Sequence, residues 1–276
     1  MLRIAVFLFL FNEYNCYLVL SGTNGSFVSP LSSRRPINSG KTPEYFDWRD
    51  KHMVSPVKDQ LNCAACWAFT TVANIESHLM IYLGQPDILS EQFLIDCDDA
   101  NKGCGDASII QTFANIVTKF GGVLRYNDYT PYANGRRTCR WNPSKYESAF
   151  DVLLPRPQSK PVPVLGFRRV YPDEHTMAEY VYKYGPLSAA INSESMGKYK
   201  GGIDEPLEQN CDPKQLDHAV LIVGFNVYVS ESGQKLPYWI IKNSWGTGWG
   251  DNGFYYLVRG RNACGIATDV SFAYVN

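Results

Sequence analysis

The chain has 276 residues, 45% of them apolar and 14% aromatic, with a formal net charge of −1. That length and apolar content suffice for a large core in one or two domains. The balanced charge leaves no basic patch for nucleic acid and no charged tail, and no internal repeat is visible.

The N-terminus reads Met1-Leu2-Arg3-Ile4-Ala5-Val6-Phe7-Leu8-Phe9-Leu10-Phe11. One positive charge ahead of a short apolar run has the pattern of a signal peptide. Asn12 and Glu13 end the run before it is long enough to span a bilayer. Small residues put the cleavage after Ser21, giving a signal peptide over 1–21; a hydrophobic strand or a misassigned start is the plainer reading. In a secreted chain Asn24-Gly25-Ser26 is a glycosylation acceptor, whereas Asn142-Pro143-Ser144 is excluded by its proline. Residues 22–41, rich in Ser, Pro, Gly and Arg, read as a short pro-segment or linker.

The most informative stretch is Gln60-Leu61-Asn62-Cys63-Ala64-Ala65-Cys66-Trp67. Beyond it Ala68, Val72, Ile75 and Leu79 mark one face of an α-helix, predicted over 65–83 and stopped by Gly84. Cys66 therefore falls at a helix N-terminus, where the dipole and free N–H groups favour a thiolate. Further helices are predicted over 90–97, with Ser90 as N-cap, and over 108–120, stopped by Gly121-Gly122. A proline-rich linker follows between Arg136 and Gly166, notably over 155–163. After one helix over 176–184, strand patterns take over at 187–191, 218–229, 238–243 and 253–259. Helices followed by strands argue for an α+β protein of two subdomains, with a cleft between them.

A thiolate needs a base and an oxyanion donor. His218, at the head of a buried strand pattern, can take the thiol proton, and the Asn243 side chain can hold the imidazole in one tautomer. The Gln60 amide, with the Cys66 N–H, can receive an oxyanion. Plainer readings stand beside these. Cys63-Ala-Ala-Cys66 is also a redox Cys-x-x-Cys spacing, but no βαβ series surrounds it. It is half a zinc site at most, since no second Cys/His pair has matching spacing. His218 alone reads as a core histidine and Asn243 alone as a turn residue.

From about Thr42 to the C-terminus the chain resembles the papain/cathepsin family of cysteine peptidases, closest in type to the cathepsin L and F forms. The resemblance rests on Phe46-Asp47-Trp48-Arg49, Gln60 to Trp67, Ser90-Glu91-Gln92 through Asp96-Cys97, Asp217-His218-Ala219, and Lys242-Asn243-Ser244-Trp245-Gly246-Thr247-Gly248-Trp249-Gly250. It implies a papain-like fold over 42–276. A helical subdomain would cover about 50–168 and an antiparallel, barrel-like β subdomain about 169–276, with the N-terminal strand crossing to the sheet side. It implies a cysteine-type endopeptidase with Cys66 as nucleophile, His218 as acid/base, Asn243 as orienter, Gln60 as oxyanion donor and Trp245 shielding the Asn–His bond. No paired histidines of the dipeptidase-type loop lie between Cys104 and Cys139. The alternative is a catalytically impaired papain-like binding protein.

The chain has eight cysteines. Cys16 would leave with the signal and Cys66 would stay free, and six cysteines admit about 15 pairings. The resemblance selects Cys63–Cys104, Cys97–Cys139 and Cys211–Cys264. It places Ala190 and Leu216 on the apolar walls of the S2 pocket, which receives the side chain second before the cut. Asp269 falls at the floor of that pocket, either reaching solvent or pairing with a P2 arginine. Asp106 stands where the family has a glycine of the substrate-binding wall, and Ala64-Ala65 replaces a Gly-Ser. The resemblance further implies protein or peptide substrates, cystatin-like inhibitors, a monomer, a secretory, lysosomal or extracellular location, and neither cofactor nor metal. Family members carry a longer helical propeptide than the roughly twenty residues between Ser21 and Thr42, which sets the expectation of another means of latency or an incomplete precursor.

Overall fold

The computed structural model describes residues 36–142 and 159–276. The predicted signal peptide, Cys16, Asn24, most of the 22–41 segment and much of the proline-rich linker lie outside them.

Helix α1, Cys66–Leu83, follows the predicted apolar face and closes at Gly84, whose φ of 63° few other residues tolerate. The Gly84 and Gln85 N–H groups bond back to Met80 O and Leu79 O, each at 3.2 Å. Helix α2, Glu91–Cys97, starts where Ser90 Oγ accepts from Phe93 N at 3.1 Å. The third predicted helix is shorter than the sequence implied. Helix α3 is Ile109–Asn115, and Ile116–Phe120 widens into a π-helical turn that ends at Gly121. Helix α4, Glu174–Tyr184, begins at Asp173, whose carboxylate caps Thr176 N at 2.7 Å.

The strands are β1 Phe46–Asp47, β2 Gly122–Val123, β3 Val162–Pro163, β4 Gly166–Arg169, β5 Leu187–Ile191, β6 His218–Val229, β7 Lys235–Lys242, β8 Phe254–Val258 and β9 Val270–Tyr274. The main sheet runs β4-β9-β5-β6-β7-β8, with β1 pairing on β6 through Phe46 opposite Phe225. Every described pairing in it is antiparallel. β4 and β9 have no counterpart among the sequence expectations. The linker expectation also needs correction, because its end forms β3 against β2. A Cβ on Gly122 would lie 1.9 Å from Val162 O, so only glycine lets these backbones meet.

Two cores result. The first gathers Trp67, Ile75, Leu79, Phe93 and Phe113. The second gathers Met177, Leu187, Trp239, Tyr255 and Phe272 against the sheet. Full burial of such side chains contributes about 1.5–3 kcal/mol each. Helix α1 ties the two together. Asn74 Nδ2 and His78 Nε2 both donate to Pro186 O, at 2.9 and 3.0 Å, and Tyr82 OH donates to Tyr184 O at 2.9 Å. Spaced four apart, these three lie on one face of the helix. At the N-terminal edge, Ile37 N donates to Lys183 O at 2.8 Å and Asn38 Nδ2 to Tyr182 O at 2.7 Å. The end of the predicted pro-segment thus docks on α4.

Candidate active site

Cys66 is the first residue of α1 and is fully buried. The turn before it is tight, with Ala65 N donating to Cys63 O at 2.7 Å and Ala68 N to Ala65 O at 2.9 Å. None of the three bridges among the described residues includes Cys66. The described bridges are Cys63–Cys104, Cys97–Cys139 and Cys211–Cys264, the same pairs the resemblance selects.

His218 opens β6 directly before Ala219, which packs in the same apolar cluster as Cys66. Its Nε2 donates to Asn243 Oδ1 at 2.7 Å, and Nδ1 is buried with no hydrogen-bond partner. Asn243 Oδ1 also accepts from Ser244 N at 2.8 Å, which fixes which amide atom faces the ring. The Trp245 ring lies 4.8 Å from the imidazole at an angle of 31° and covers this pair. Burial pushes the His218 pKa below its ordinary value, while the Asn243 bond and the Asp217 charge oppose that.

Gln60 is buried and held from two sides. Its backbone N donates to Ser244 O at 2.9 Å, its Oε1 accepts from Ser244 Oγ at 2.7 Å, and its Nε2 donates to Cys63 O at 3.1 Å. An amide NH₂ has two hydrogens, so one remains for a substrate oxygen. Ser244 therefore joins the loop before α1 to the loop after β7, a role the sequence did not announce. Tyr132 OH adds a bond to Gln60 O.

Beneath these residues lies a second feature that sequence reasoning missed. Lys58 Nζ bonds Glu76 Oε1 at 2.8 Å and Glu91 Oε1 at 2.5 Å, and Lys242 Nζ donates to Ser55 Oγ at 3.0 Å. Lys58 precedes Gln60 by two positions and Lys242 is next to Asn243. Burial raises the Glu91 carboxyl to about 7, with Lys58 opposing and Glu76 adding to the rise. Burial lowers Lys242 to about 8. Lys58, despite the burial that works against its charge, is held above its ordinary value by Glu76 and Glu91.

The predicted specificity residues are placed as follows. Ala190 is buried on β5, opposite Ala219, and its N donates to Asp269 O at 3.0 Å. Leu216 is buried against Gly265. Asp269 does not reach solvent. Its carboxylate is buried and accepts from Arg169 Nη2 at 3.2 Å, so the expected open acid at the pocket floor is corrected to an occupied one. Burial raises the Asp269 pKa, with the nearby Arg169 acting against the rise. Asp106 is partly exposed and pairs with Lys102 at 2.6 Å.

Comparison with known proteins agrees with this geometry. Residues 42–274 match the Papain family cysteine protease domain. The chain is 36% identical over 235 residues to a protein named Cathepsin F of Drosophila melanogaster, covering 84% of this chain and 36% of that protein. It is 38% identical over 240 residues to Cysteine proteinase 15A of Pisum sativum, covering 83% of this chain and 61% of that one. Against those relatives, then, the chain spans between about a third and two thirds of their length. Among solved structures, digestive procathepsin L2 proteinase from Tenebrio molitor larval midgut superposes with a TM-score of 0.72 at 34% identity, covering 85% of this chain and 69% of that one. With the domain match spanning both cores and every residue of the Gln60, Cys66, His218 and Asn243 group, the chain belongs to the papain family of cysteine proteases.

Proposed function

We propose that this protein is a cysteine-type endopeptidase that cuts peptide bonds through a thioester on Cys66. The observation that carries the reading is the His218–Asn243 pair. With Nε2 committed to Asn243 and shielded by Trp245, the imidazole has only Nδ1 left for proton transfer. The Cys66 thiol proton passes to His218 Nδ1 and the sulfur attacks the scissile carbonyl. The remaining Gln60 amide hydrogen and the Cys66 N–H hold the oxyanion. The imidazolium then gives its proton to the departing amine. Water, deprotonated by the same ring, hydrolyses the thioester and restores the thiol.

The remaining parts of the reading follow from this chemistry and the family. Ala190 and Leu216 form apolar walls for the P2 side chain, so Leu or another aliphatic residue is preferred there. Asp106, turned toward Lys102, rims the opposite side. The chain acts as a monomer on protein or peptide substrates in the secretory route, in the lysosome or outside the cell, and is open to cystatin-like inhibitors. Its domain organisation is a signal peptide over 1–21, a short segment over 22–41 and a peptidase domain over 42–276. Among the described residues no helix is long and apolar enough to cross a membrane.

Titration of the reduced protein with a thiol-directed epoxide tests the reading. One equivalent should label Cys66 and abolish cleavage of a P2-Leu peptide. A reduced, folded protein whose Cys66 ignores the epoxide and which cleaves nothing would be the impaired binding protein instead.

A further inference from the structure

Leu61 is a bulky residue at φ 50° and is 46% exposed, directly after the buried Gln60. Sterics disfavour that conformation for any side chain larger than glycine's hydrogen. Such residues persist where their surroundings over-determine them, and they gather at functional sites. Here the determinant is Asp59, whose Oδ1 accepts from Leu61 N at 2.8 Å. The turn is also clamped to the opposite loop, where Asp59 forms a β-bridge with Trp245 and Gly246 N donates to Lys58 O at 3.1 Å. The Leu61 side chain is thereby held out over a cavity of about 310 Å³, lined by Asp59, Leu61, Asn62, Asn134, Trp245 and Trp249.

Three features of this cavity converge. Its position is next to the imidazole, because Trp245 stacks 4.8 Å from His218 and 5.1 Å from Trp249. On the proposed mechanism that is the side from which His218 protonates the departing amine. Its walls, Leu61 and two indoles, suit a long aliphatic stem and can face a cation. Its one charged member, Asp59, is exposed, and among the described residues no ion pair uses it. The neighbouring Lys58 is committed to Glu76 and Glu91.

We infer that this cavity is a specificity subsite for a lysine or arginine side chain on the leaving-group side of the cleaved bond, with Leu61 and the indoles receiving the stem and Asp59 the charge. The inference rests on the peptidase reading above. Asp59 acts here as a specificity residue and takes no part in bond making.

The reduced full chain is assayed with quenched fluorescent peptides that share P2 Leu and carry Arg, Lys, norleucine or Glu at P1′ or at P2′. The parent should cleave the Arg and Lys peptides about threefold to tenfold better than the norleucine peptide at one of the two positions, in kcat/KM, as suits a partly exposed pair. The Glu peptide should be poorest. Asp59→Asn keeps the side-chain acceptor for Leu61 N and removes the charge, and it should bring the basic-to-norleucine ratio close to one. Raising salt from low to about 0.5 M should lower the same ratio in the parent and leave the variant's unmoved. A parent ratio near one at both positions, or a ratio that neither Asp59→Asn nor salt alters, overturns the subsite while the peptidase reading stands. No cleavage of any peptide by the reduced parent, with Cys66 inert to the epoxide, overturns the peptidase reading itself.

Discussion

Arg169, on β4, reaches across to Asp269, the residue before β9, with Nη2 3.2 Å from Oδ1. The arginine is 42% exposed and the carboxylate 7%, so the acid is sealed by a partner that itself reaches water. A carboxylate so engaged is not available to a substrate arginine at P2.

Specificity at P2 should therefore respond to Arg169 more than to Asp269. Arg169→Met should raise kcat/KM for a P2-Arg peptide relative to P2-Leu by several-fold, in line with about 1 kcal/mol for a partly exposed pair. Asp269→Asn in the parent background should leave that ratio within about twofold. A rise in the Asp269→Asn variant, with none in Arg169→Met, would show that Arg169 does not guard the acid.

The two cysteines of Cys63-Ala64-Ala65-Cys66 should separate cleanly. Cys66→Ala should abolish cleavage and leave the melting temperature nearly unchanged. Cys63→Ala breaks the bridge to Cys104, which spans 41 residues, and should cost roughly 3–4 kcal/mol on the chain-entropy account. Activity retained in Cys66→Ala would refute its role as nucleophile.

The ionisation of His218 should depend on Cys66. In Cys66→Ala, which has no thiolate, burial should keep the imidazole below its ordinary value, so the neutral ring is the folded form and folding loses stability as pH falls through the ordinary histidine range. In the reduced protein a neighbouring thiolate should pull the titration the other way and give a bell-shaped pH profile of kcat/KM. NMR titration of the His218 ring in both proteins checks this. Identical midpoints would rule out an ion pair, as would an activity profile that only rises near pH 8.5.

Stability should respond to the buried charges behind Gln60 and Asn243. Glu91, raised from 4.5 to about 7, is a carboxyl that the folded state prefers to protonate. Its contribution is full below the unfolded value and lost as pH rises through about 7, so the melting temperature should fall between pH 5 and 7.5. Glu91→Gln, which resembles the protonated acid, should flatten that slope. Glu76→Ala, which leaves Lys58 with Glu91 alone, should flatten it too, because the Glu76 charge no longer raises Glu91 and Glu91 must then stay ionised to pair the lysine. Parallel slopes for parent and Glu91→Gln would remove Glu91 as the cause.

Much of this was legible in the sequence. The face of α1, its glycine stop, the Ser90 cap and the long strands at His218 and after Leu236 all follow from local spacing and capping. β4 and β9 did not, because residues 166–169 carry two exposed arginines and 270–274 are buried on both faces, so neither alternates. The side chains proposed as catalytic announced themselves through their motifs. What holds them did not: Ser244 and Lys242 look like ordinary polar residues until folding brings segments more than 180 residues apart together, and Lys58 until it meets Glu76 and Glu91. Arg169 was invisible for the same reason, since its partner is 100 residues away. Leu61 could have been noticed only as a leucine where the backbone turns left-handed.

The face of α1 formed by Asn74, His78 and Tyr82 fixes how far apart the jaws of this molecule stand. Each of these side chains grips main-chain carbonyls at residues 184 and 186, while the opposite face of the same helix belongs to the first core. The helix that carries the proposed nucleophile is thus also the spacer bar, and backbone, not adjustable side chains, takes its far grip. A tool with a fixed gap does not close around its workpiece. On the proposed peptidase reading, a globular protein offered to it must bring an already unravelled stretch of chain, so that local unfolding of the substrate, more than motion of this protein, sets where it is cut.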